Sequence, residues 1–119
     1  MSGSTSFRVG VRQVGETDVV APTGEIDIAT ASAVRDAMLA TVGPRRLVLD
    51  LRGVEFMDTS GLSLLVEEQR RSRQRGGSFE VVPGPTRVQR LLDIAGLTPL
   101  LQMVAPPAEA VTGAADSRG

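Results

Sequence analysis

The chain has 119 residues, a net charge of -1 and 41% apolar residues with only three aromatics, which suits one domain built on an aliphatic core. It contains no cysteine, histidine or lysine; this excludes disulfides, Cys/His zinc sites, Cys- or His-based nucleophilic catalysis, Schiff-base chemistry and a P-loop lysine. The near-neutral charge gives no electrostatic case for nucleic-acid binding.

Residues 1–5 are small and polar and are expected to be flexible. Phe7, Val9 and Val11 alternate with Arg8 and Arg12, predicting a strand with one solvated face. The stretch "DVVAPTGEID" (18–27) predicts a second strand ending in a turn, a hairpin partner of the first, with Pro22 weakening its centre. From Thr30 to Val42 the period becomes helical, with Thr30 as N-cap and Val34, Ala37, Met38 and Thr41 on one stripe, stopped by Gly43-Pro44. "RRLVLDLRG" carries a nearly continuous apolar run, the pattern of a strand buried on both faces.

The loop "VEFMDTS" leads to a helix from about Ser60 to Arg75, with an expected inner stripe of Leu62, Leu65, Val66 and Gln69 and with Glu67, Glu68 and the arginines in water. "SFEVVPG" predicts a strand, and "TRVQRLLDIAGL" a short helix on Val88, Leu91, Leu92 and Ala95 that stops at Gly96. "PLLQMVA" predicts a last short strand, and residues 106–119 a disordered tail or loose terminal helix. The order β-β-α-β-α-β-α-β predicts a single α/β domain over 6–105. Its sheet is mixed and four- to five-stranded, with an antiparallel N-terminal edge hairpin and helices packed against it. No apolar signal segment opens the chain and no run nears the ~18 apolar residues of a membrane span, so a soluble, cytoplasmic protein is expected.

Two loops stand where ligands and partners of open α/β sheets gather, at the carboxyl ends of strands: "TGEIDIAT" and "FMDTSG". Parallel strands would bring them to the same end of the sheet. Asp58, Thr59 and Ser60 can all be read as helix capping, for which one residue suffices. They can also be read as a phosphoacceptor site, because a helix N-terminus favours added negative charge. A serine hydrolase is excluded, since "MDTSG" lacks the G-x-S-x-G elbow and no histidine can act as base. Glu25, Asp27 and Asp58 match no carboxylate metal loop, and no metal or other cofactor is expected. Arg70, Arg71, Arg73 and Arg75 complement the helix C-terminus as a solvated face; a basic contact to an acidic partner or lipid headgroup is the lesser reading.

Across residues 7–105 the chain resembles the STAS-domain family of bacterial anti-sigma-factor antagonists. The resemblance rests on "GEID" (24–27), similar to a G-E-L-D turn, and on "LVLDL" leading into "FMDTSGL", similar to the family's phosphoacceptor loop. The "GG" at 76–77 and "VQRLLDIAGL" add to it. The resemblance implies a non-enzymatic switch. The unmodified form binds an anti-sigma factor that is also a serine kinase and so frees the sigma factor; phosphorylation by that kinase, with ATP and magnesium, releases it, and a serine phosphatase resets it. By position it implies Ser60 as the phosphorylated residue, with Thr59 as runner-up. Glu25, Asp27, Met57, Asp58, Thr59, Ser60, Gly61 and Leu62 are the expected partner-binding residues. Departures from the pattern are small: Ile26 stands in place of leucine, and Thr59 in place of the commoner serine. The alternative is a STAS module serving a transporter or lipid-trafficking complex as a structural or regulatory subunit.

Overall fold

The alternation at the N-terminus does form a hairpin. In the computed structural model, which describes residues 7–41 and 46–107, β1 (Arg8–Val14) pairs antiparallel with β2 (Thr17–Ile26) from Arg8↔Thr23 to Val14↔Thr17. Helix α1 (Ala31–Leu39) follows, and the buried strand is β3 (Arg46–Asp50). Beyond it come β4 (Val54–Met57), α2 (Thr59–Arg75) and β5 (Ser78–Val82). The described chain closes with α3 (Thr86–Ile94), a single 3-10 turn (Thr98–Leu100) and β6 (Gln102–Met103). Residues 1–5, most of the expected tail, and the Gly43-Pro44 helix stop lie outside the described residues; α1 itself ends earlier, at Leu39.

The main path of the sheet runs β1-β2-β3-β5-β6, and every pairing except β1–β2 is parallel. This is the expected mixed sheet, with one addition. The segment expected as a loop supplies β4, which pairs in parallel with the far end of β2. Strand β2 therefore changes partner along its length: Thr17–Val20 pair with β3, and Gly24–Ile26 pair with β4. Pro22, which has no N–H to donate, falls in the gap between the two pairings, where a proline disturbs a strand least. Gly24 has φ +104°, a conformation favouring glycine, and sits at the register shift that lets β2 meet β4.

All three helices contribute to a single core against one face of the sheet. Val34 and Met38 of α1, Leu64 and Leu65 of α2, and Val88 and Leu92 of α3 join Val20, Leu49 and Val81 there. Each such side chain, fully buried, contributes on the order of 1.5–3 kcal/mol. The opposite face carries a smaller cluster, Val19, Val48 and Val82, that no described helix covers. It shares that face with Arg46, paired with Glu80 at 2.7 Å and reaching Thr17 at 3.3 Å, and with Asp50, paired with Arg52 at 2.8 Å.

The inner face of α2 differs from the expected stripe. Gly61, Leu64, Leu65, Glu68 and Ser72 are buried, Leu62 and Gln69 are half-buried, and Val66 is exposed. Glu68, expected in water, is 2% exposed. Its carboxylate accepts from Ser72 Oγ at 3.0 Å and pairs with Arg71 and, more loosely, Arg75 at 3.8 Å. Polar satisfaction of this kind is what lets a charge occupy a core position.

Candidate functional site

The pairing of β2 with β4 builds the site. Ile26 lies beside Met57, and the backbone N–H of Asp58 donates to the Ile26 carbonyl at 3.1 Å. The two acidic loops thus leave the same end of the sheet side by side. Each then opens a helix.

Asp58 is the N-cap of α2. Its backbone is extended (φ -112°, ψ -164°), its Oδ1 accepts from the Ser60 N–H at 2.8 Å, and its carbonyl accepts from Gly61 N–H at 3.0 Å. Asp27 does the corresponding work before α1. Its Oδ1 accepts from the N–H groups of Ala29 at 2.9 Å and Thr30 at 3.1 Å. Thr30 precedes α1 as expected but makes no side-chain cap. Its hydroxyl instead donates to the Glu25 carbonyl at 2.7 Å and accepts from the Asp27 N–H at 2.9 Å, cross-bracing the "GEID" turn.

The hydroxyls of Thr59 and Ser60 therefore stand on the first turn of α2. Thr59 is exposed and Ser60 half-buried. The Ser60 hydroxyl makes no hydrogen bond among the described residues, and no histidine exists in the chain to deprotonate it. It is presented without being activated. Among the described residues no three acidic groups converge as a metal centre.

The structure brings Glu25, Asp27, Met57, Asp58, Thr59, Ser60, Gly61 and Leu62 to one end of the sheet, but they are not equally accessible. Glu25 and Thr59 are exposed, and Asp27, Asp58, Ser60 and Leu62 are half-buried. Met57 is 4% exposed and Gly61 is buried, so these two shape the site from beneath and offer a partner almost no surface. A Cβ on Gly61 would lie 2.8 Å from Met57 Sδ, closer still to its Cγ, and 3.3 Å from Ile26 Cγ2; glycine lets α2 seat on β4 and β2. One residue escaped the sequence reading: Ile28, beside Asp27, is 85% exposed. Its signal was an isoleucine among small and polar neighbours in "GEIDIAT".

Comparison with known proteins agrees with this architecture. A family model described as "Mlab, STAS domain" matches residues 9–103. The anti-sigma-F factor antagonist RsfB of Mycobacterium tuberculosis is 31% identical over 120 aligned positions, covering 99% of this chain and 98% of the relative. The anti-sigma-B factor antagonist of Bacillus subtilis is 33% identical over 103, covering 84% and 93%. The crystal structure of an anti-sigma factor antagonist from Mycobacterium paratuberculosis superposes with a TM-score of 0.73 at 29% identity, over 92% of this chain and 93% of the other. The chain belongs to the STAS-domain family of anti-sigma-factor antagonists.

Proposed function

We propose that this chain is an anti-sigma-factor antagonist whose unmodified form binds an anti-sigma factor with serine-kinase activity and thereby frees a sigma factor, and that phosphorylation of Ser60 ends the binding. One observation carries this reading: the Ser60 hydroxyl stands on the first turn of α2 with no hydrogen bond among the described residues, not even to the neighbouring Asp58 carboxylate, and the chain has no histidine. That suits a substrate of another enzyme. A kinase brings its own aspartate to accept the hydroxyl proton and its own ATP and magnesium, so the acceptor needs only exposure and position. Thr59, one residue earlier on the same turn, is the second candidate.

The electrostatics make the modification a switch. A phosphate adds about -1.5 to -2 charges. The dipole of α2 favours it in the free protein, although Asp58 already occupies the N–H groups of Ser60 and Gly61. A partner seated over the same mouth would have to bury that charge beside Asp58 and Asp27, at a desolvation cost of several kcal/mol. Moving a two-state equilibrium from mostly bound to mostly free takes about 5.5 kcal/mol of differential affinity, within reach of that cost. A serine phosphatase then restores the binding form. The chain itself performs no chemistry in this cycle.

The direct test is to incubate the protein with its cognate kinase and ATP and to map the phosphate by mass spectrometry. Phosphate on Ser60 is the expected result. Modification of neither Ser60 nor Thr59 would overturn the reading.

A further inference from the structure

The four arginines near the end of α2 divide into two pairs. Arg71 and Arg75 turn inward and neutralise buried Glu68. Arg70 and Arg73 are exposed and make no ion pair or side-chain hydrogen bond among the described residues. They border a groove between α2 and the segment from the end of α3 through the 3-10 turn. Val66, 40% exposed, and Leu100, 62% exposed, line it, with Leu97 at its floor. Val66 and Leu97 also line the adjoining depression, which continues past Leu62 to Thr59 and carries one carboxylate, Glu67, already paired with Arg35 at 3.0 Å. From Thr59 to Arg73 the groove follows α2 for about 20 Å at ~1.5 Å per residue.

We infer that this groove receives an amphipathic helix of a protein partner, its apolar face on Val66, Leu97 and Leu100 and acidic side chains over Arg70 and Arg73. Its shape is long, shallow and apolar, the form that takes a helix by anchors at i, i+3, i+4 and i+7. The charge selects an acidic helix, because two arginines lie at one end with no internal carboxylate to answer them. A concave groove offers little to a flat bilayer. The inference does not rest on the phosphorylation reading, since nothing in it uses the Ser60 hydroxyl.

The test uses the full chain, isotope-labelled, and a synthetic amphipathic helix of about four turns with a leucine face and glutamate flanks. Titration should shift the resonances of Val66, Leu97 and Leu100 together. Arg70→Glu/Arg73→Glu should weaken binding about tenfold, two exposed ion pairs being turned into repulsions. Both side chains are exposed, so the double variant should keep its fold, checked by an unchanged thermal transition. No shifts at these residues would overturn the inference, as would equal binding of the same helix with lysine flanks. It would also be overturned if the residues respond to protein concentration alone with dimers in sedimentation, or respond more strongly to phosphatidylglycerol vesicles than to the acidic helix.

Discussion

The N–H of Asp58 donates to the carbonyl of Ile26 at 3.1 Å, and this bond joins two loops that lie more than thirty positions apart in sequence. Asp27 begins where Ile26 ends, and Ser60 follows Asp58 on the first turn of α2. The acidic turn before α1 and the hydroxyl pair at α2 therefore form one surface because β4 extends the sheet beside β2. Changes to this junction should act on the site as a unit.

Gly61→Ala tests the seating of α2. The added methyl meets Met57 and Ile26, both held in the core. Overpacking of this kind costs about 1–3 kcal/mol, and urea unfolding should show it as a lower midpoint with an unchanged slope.

Replacing Asp58 separates capping from charge. Asp58→Ala removes the acceptor of the Ser60 N–H and should lower stability by about 1 kcal/mol. Asp58→Asn keeps an acceptor oxygen and should retain most of that stability by thermal denaturation. Equal losses in the two variants would show that the carboxylate charge, rather than the cap, stabilises the helix start.

Glu68 should behave as a satisfied but replaceable buried charge. Glu68→Ala leaves a void, an unpartnered Ser72 hydroxyl and two arginines without their carboxylate. Because Arg71 and Arg75 are partly exposed and can regain water, the loss should be about 1–3 kcal/mol, below the 3–5 kcal/mol for stranding a fully buried partner. Glu68→Met refills the volume without a charge and should recover most of the stability; calorimetry on both variants checks the order.

Acid should remove one identifiable contribution. Burial acts to raise the Asp50 carboxyl, but hydrogen bonds from Arg52 and the charges of Arg52 and Arg12 outweigh it and hold the group below its ordinary value. A carboxyl lowered on folding contributes stability above its unfolded pKa, about 3.9, and loses it as pH falls through the folded value. Asp50→Asn should therefore be less stable at neutral pH and show a shallower fall in stability below about pH 4.

Much of this architecture was legible because local patterns and tertiary packing agree. The doubly apolar "LVLDL" and the "MDTSG" helix start each produce the element they predict; the Phe7–Val11 stretch forms its strand, but Val11 is 54% exposed and Arg12 half-buried, so the alternation does not hold to its end. Strand β4 was not legible, since four residues, "VEFM", become a strand only by pairing with a distant segment of β2. The inner stripe of α2 was misplaced for a different reason. A hydrophobic pattern cannot show a buried Glu68, and the apolar Val66 drew the face to the wrong side. The available signal was the arginines at i+3 and i+7 from Glu68, whose partner role needed the fold to reveal it. At the site, Asp58 and Ser60 stood out from spacing, whereas the bracing of "GEID" by Thr30 depends on a turn geometry that one sequence does not display.

Charge on Ser60 should control partner binding, and calorimetry on three proteins with the cognate anti-sigma factor decides it. Wild type and Ser60→Ala should bind alike, because the hydroxyl is needed only to be modified. Ser60→Asp, which places a negative charge on the first turn beside Asp58, should bind at least about tenfold more weakly, a difference of ~1.4 kcal/mol. Equal affinities for Ser60→Asp and Ser60→Ala would rule out a charge switch at Ser60.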